Sequence, residues 1–114
     1  METSNRSALV VLPARHFLEW LHHVEPTSGH LSLDDLRIDP AIYLVPECRG
    51  QTEAVEYLRE VCSEIFEEQL NGWHRVRSAW PTVRDLNRFL LWFEWSLHST
   101  IIDLDETPIE HEEI

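Results

Sequence analysis

The sequence predicts an α+β fold: a two-layer single domain with a small sheet of about three strands packed against two long and one or two short helices. Three observations lead there. Thr52 to Leu70 repeats its apolar residues with helical period, Ala41 to Val45 is an unbroken apolar run, and at Phe93 the apolar spacing switches from three and four to strict alternation. Residues 8–104 form the expected domain, residues 1–7 a polar, frayed N-terminus, and residues 105–114 an acidic C-terminal tail.

In chain order, Ala8 to Leu12 is a short β-branched apolar run with the character of a buried strand. Pro13 suits the first turn of the helix that follows, where its missing N–H costs nothing. Phe17, Trp20, Leu21 and Val24 give that helix one apolar stripe, and Glu25-Pro26-Thr27-Ser28-Gly29 ends it. Ser32-Leu33-Asp34-Asp35 has the form of a capping box with Asp in place of Glu. It opens one or two turns that must stop before Asp39-Pro40, since the residue before proline avoids helical angles.

Ala41 to Val45, closed by Pro46, reads as a central strand covered on both faces, or on one face plus a subunit contact. From Thr52 the stripe of Ala54, Leu58, Val61, Ile65 and Leu70 marks the longest helix, and Asn71-Gly72 offers a C-terminal stop. Trp73 to Trp80 is a loop. Thr82-Val83-Arg84-Asp85, behind Pro81, begins another helix with Leu86, Phe89, Leu90 and Phe93 facing the core. From Phe93 to Asp103 the alternation describes a strand: Phe93, Trp95, Leu97, Ser99, Ile101 and Asp103 on a mainly apolar inner side; Glu94, Ser96, His98, Thr100 and Ile102 outward. Continuing the helix would keep Leu97 and Ile101 in register, but the Ser-Thr-Ile-Ile composition disfavours it.

The balance of 21 acids against 9 bases, a formal net charge of −12, argues against nucleic acid, whose phosphates need clustered cations, and against an anionic membrane surface. All nine bases are Arg, the usage of a GC-rich, bacterial genome. No apolar run is long enough to span a membrane. The N-terminal run is too short for a signal peptide, and Cys48 and Cys62 form no metal or redox motif. A reducing cytoplasm is the expected compartment.

Several chemistries lack their residues. The three glycines, at 29, 50 and 72, cannot write a Rossmann or Walker fingerprint. His98 and Ser99 are adjacent on a strand and so point to opposite faces, and no nucleophile elbow surrounds the serine. Seven histidines show no zinc spacing, and His22 and His23 diverge by about 100° on a helix. No catalytic residue, metal ligand or cofactor follows from these patterns.

Two features remain. Glu56, Glu60, Glu64 and Glu68 recur at i, i+4, widened by Glu53 and Glu67, and such like-charge pairs each cost a few tenths of a kcal/mol. Arg75, Arg77, Arg84 and Arg88 could match them within the chain, as could a basic partner. Five tryptophans are the second feature. Trp20 and Trp95 fall on core faces, whereas Trp73, Trp80 and Trp92 do not, and tryptophan is enriched in binding hot spots.

The expectation is therefore a non-catalytic protein–protein interaction module of accessory or immunity type, acting as a homodimer and suited to a basic partner. The alternative is a metal-binding protein or small enzyme with a site near His98 and the acidic end of the last strand.

Overall fold

The chain runs β1 (Glu2–Thr3), β2 (Arg6–Pro13), α1 (Arg15–Val24), α2 (Leu33–Leu36), β3 (Ala41–Pro46), α3 (Gln51–Trp73), α4 (Leu86–Trp92), β4 (Phe93–His98) and β5 (Ile102–Asp103). It is seen in a computed structural model that describes residues 2–113. Single 3-10 segments cover Pro26–His30 and Arg77–Ala79.

The sheet is antiparallel in the order β3-β2-β4, and β1 pairs with β5 in a separate two-stranded ribbon. Leu9 lies opposite Tyr43 on one side and Leu97 on the other, and Val11 opposite Ala41 and Trp95. Because side chains alternate, these positions share the inner face, which the helices cover. The outer face takes Ala8, Val10 and Leu12 with Ile42 and Leu44 of β3 and Glu94, Ser96 and His98 of β4.

The core joins Leu9 and Val11 of the sheet to Phe17 and Leu21 of α1, Leu58 and Phe66 of α3, and Phe89 of α4. Phe93 is its hub, with ring centroids 5.5 Å from Phe17, 5.0 Å from Phe66 and 4.8 Å from Phe89. That placement follows from the abrupt α4–β4 junction: Phe93 is both the C-cap of the helix and the first residue of the strand, so it turns inward beneath both layers.

The two-layer α+β arrangement with a three-stranded sheet is the one predicted, and the capping box at Ser32 is present. Ser32 Oγ accepts from Asp35 N–H at 3.2 Å, and Asp35 Oδ2 accepts from Ser32 N–H at 2.8 Å. The backbone hydrogen bond, then the one from the Ser32 hydroxyl, holds the Asp35 carboxyl below its ordinary value.

Several expectations are corrected. β3 is an edge strand; the central strand is β2, built on the apolar run Ala8 to Leu12 and flanked by a partner on each side. Pro13 ends β2, where a missing donor only closes the ladder, and α1 starts two residues later with Ala14 as its N-cap. No glycine among the described residues lies in the left-handed region, so Gly72 is no stop and α3 continues through Trp73.

The helix behind Pro81 begins at Leu86, because the Asp85 carboxylate accepts the Arg88 N–H at 2.9 Å and fixes the N-cap there. Leu90, expected in the core, is exposed. The final strand stops at His98 and resumes only at Ile102. The described part of the N-terminal seven residues is paired, not frayed. Glu2–Thr3 bonds β5, Ser4 N–H donates to the Ile101 carbonyl at 2.7 Å, and the buried Ser7 Oγ accepts from Cys48 N–H at 2.9 Å. Residues 104–113 are exposed and carry neither helix nor strand. No helix among the described residues is long and apolar enough to cross a membrane.

Candidate interaction surfaces

The glutamate stripe of α3 divides in the fold. Glu56, Glu60 and Glu64 are exposed, and none of them forms an ion pair among the described residues. Glu67 meets Arg84 at 2.9 Å and Arg77 at 3.5 Å, so two of the four expected arginines are used, and on this carboxylate alone. Glu53 accepts the Arg49 N–H at 2.7 Å near the start of the helix.

Glu68 leaves the stripe altogether. Each i, i+4 step turns about 40° around a helix of 3.6 residues per turn, so three steps carry Glu68 about 120° away from Glu56 and toward the sheet. There its carboxylate accepts the Tyr43 hydroxyl, and Gln69 Nε2 donates to the same hydroxyl at 2.8 Å.

Burial, and after it the hydrogen bond to Glu68, raises the Tyr43 hydroxyl above the ordinary tyrosine value of 10.0. The folded state thus holds this proton more tightly than the unfolded chain does. The resulting stabilisation is complete below pH 10.0 and lost as the pH rises beyond it. Urea unfolding across that range should show stability falling on the alkaline side, and Tyr43→Phe should flatten the fall. An equal fall in the variant would contradict the assignment.

The tryptophans are placed differently from their sequence reading. Trp80 is buried, donates Nε1–H to the His74 carbonyl at 2.7 Å, and carries the Arg77 guanidinium 4.8 Å above its ring. Trp92 is half-buried, with centroids 5.3 Å from Phe66, 5.9 Å from Trp20 and 6.1 Å from Phe17. Its position off the stripe would expose it on a long helix. α4 is only seven residues, however, and its last turn packs against α1, leaving Leu90 and Leu91 outside instead. Trp20 donates Nε1–H to the Ala79 carbonyl at 2.9 Å, and Trp95 packs half-buried on the inner sheet face. Of the three candidates, only Trp73 is exposed, at the end of α3.

In sequence, Ala41 to Val45 had a subunit contact only as one of two options and none of its residues stood as a candidate; the surface in question is the outer face of the sheet. Ile42 is 62% exposed and Leu44 47% exposed, and neither they nor Val10 and Leu12 join the packed core. Both lie on an edge strand that contains no charged residue from Ala41 to Pro46. The opposite edge, β4, carries Glu94 and His98 on this face, the usual protection of an exposed edge. Only Pro46 blunts β3. The signal available in sequence was the unbroken apolar run itself, which asks for cover on both faces while an edge strand receives it on one.

His98, the centre of the alternative reading, is exposed on the outer face with Nε2 3.0 Å from the Ser96 hydroxyl. No three His, Cys, Asp or Glu side chains come together to hold a metal ion among the described residues. Cys48 and Cys62 are both free and buried, and burial raises both thiols above their ordinary value. No protein-family model, no curated protein and no solved structure matches this chain.

Proposed function

We propose that this chain is a non-catalytic protein-interaction module of accessory or immunity type that works as a homodimer and engages a basic partner. The observation that carries the reading is the exposed apolar face of β3, with Ile42 and Leu44 outward on an uncharged edge strand and Ile109 and His111 of the C-terminal segment bordering it. A strand of this kind is a template for pairing with another chain.

The second copy is the occupant that the charge favours. With a net charge of −12, two copies repel across most of their surfaces. Ala41 to Pro46 is a strip where they approach without opposing carboxylates. An isologous β3–β3 contact uses the same strip twice and extends two three-stranded sheets into one. The exposed Glu56, Glu60 and Glu64 remain free on the helical layer for a basic partner. Two unpaired thiols support a reducing, cytoplasmic setting.

Amide hydrogen exchange tests the edge contact directly. The alternate backbone N–H groups of Ile42 to Val45 that point away from β2 should exchange more slowly in concentrated than in dilute protein. The β4 amides should show no such dependence. Exchange at β3 that is independent of concentration would overturn the reading.

A further inference from the structure

The last turn of α3 closes one end of a cavity of about 160 Å³ on the helical side of the sheet. Glu68, Gln69 and Trp73 line it from the helix and Asp39 from the turn before β3, while Val11 and Leu36 belong to an apolar opposite wall. This is smaller than the cavities of several hundred Å³ that enclose drug-sized ligands, and of a size for the head of one side chain.

One side of it is acidic, the other apolar, a combination suited to a cation with a flat or aliphatic body. Among the described residues no Arg or His nitrogen lies within ion-pairing distance of Asp39 or Glu68. Gln69 is only 8% exposed, and its Nε2 donates to the Tyr43 hydroxyl at 2.8 Å, which fixes the amide in this wall. The negative end of the α3 macrodipole lies at the same place. Trp73, 37% exposed, offers an indole face for cation–π contact.

We infer that this cavity receives a guanidinium group, the side chain of an arginine presented by a partner protein. The inference rests on the basic partner proposed above. A planar guanidinium can bond carboxylate and amide oxygens in its own plane while stacking on an indole; an ammonium is a point charge without that plane. Tyr43 fixes the Glu68 carboxylate at the wall, so the receptor is formed before the arginine arrives. Glu56, Glu60 and Glu64 wind along α3 toward it and draw a basic surface in.

The test is an amide-resolved NMR titration of the full chain with the capped tripeptide Gly-Arg-Gly and its Lys and citrulline counterparts. Citrulline keeps the shape and removes the charge. The arginine peptide should shift the Gln69 to Trp73 amides and the Trp73 indole N–H. The citrulline and lysine peptides should bind about tenfold more weakly or worse, equivalent to 1.4 kcal/mol. Glu68→Gln and Asp39→Asn should each weaken arginine binding severalfold, whereas Glu60→Gln on the exposed stripe should leave it within about twofold. Asp39 is exposed, so its variant keeps the test meaningful if Glu68→Gln disturbs folding.

Equal binding of citrulline or lysine would overturn the inference. So would shifts confined to the Glu56–Glu64 face. A dimer that ignores arginine would sink the pocket and leave the self-association reading standing; a monomer that binds arginine would do the reverse.

Discussion

Phe66→Ala should lower the unfolding free energy by about 3–5 kcal/mol, the range for removing a fully buried aromatic ring. Phe66 has no exposed surface and its ring meets Phe89, Trp92 and Phe93 at centroid distances of 6.4, 5.3 and 5.0 Å. Those partners come from a different helix and from the strand that follows it, so no single element can move in to fill the void. Domains of this size have about 5–15 kcal/mol in total. The variant should therefore be partly or largely unfolded at 37 °C. Urea titration at one fixed protein concentration measures it, because the proposed dimerisation would add a concentration-dependent term. A loss below about 1 kcal/mol would mean that the ring is not packed as described.

Ile42→Glu with Leu44→Glu should abolish self-association while leaving the fold intact. Both side chains point away from the core, and a solvent-facing glutamate on an edge strand is tolerated in the free chain. In an isologous contact each substitution is made twice, and each buried carboxylate without a partner costs several kcal/mol. The dissociation constant should rise about a hundredfold or more, since every 1.4 kcal/mol is a factor of ten. Far-ultraviolet circular dichroism of the variant should match that of the parent. A dimer that survives the double substitution would place the contact elsewhere, Leu90 and Leu91 of α4 being the next exposed apolar pair.

The readable parts of this fold were those that local chemistry determines. The stripe of α3 from Ala54 to Leu70 is a helical period with nothing competing against it; Ala54, Leu58, Ile65 and Leu70 are buried and Val61 is half-buried. The capping box at Ser32 needs only residues three apart. The change to a strand at Phe93 was visible as a change of period, although Asp85, not Thr82, starts the preceding helix, because two N-cap candidates lie three residues apart and sequence does not rank them.

What was not legible depends on strand order and on helix twist. Ala41 to Val45 looks more like a central strand than Ala8 to Leu12 does, yet pairing places β2 between the other two, and only then do Ile42 and Leu44 become surface. The candidate site fared similarly. Glu56, Glu60 and Glu64 stay exposed and pair with none of the arginines that could have matched them among the described residues, whereas Glu68 turns inward to Tyr43, a partner 25 residues distant in sequence that no local pattern announces. Trp80 and Trp92 seemed surplus because the core of α1, α3 and α4 was counted without the long-range hydrogen bonds and ring contacts that hold them in place.

The central claim is that two copies meet through the uncharged face of β3. Absolute mass by size-exclusion chromatography with light scattering, at low and at high salt, tests it most directly. The account predicts twice the chain mass of 13.5 kDa in both conditions, with the dimer tighter in high salt, where repulsion between the acidic subunits is screened and the apolar contact remains. A mass of one chain in both conditions, at protein concentrations up to about 100 times the micromolar Kd typical of weak dimers, would contradict it.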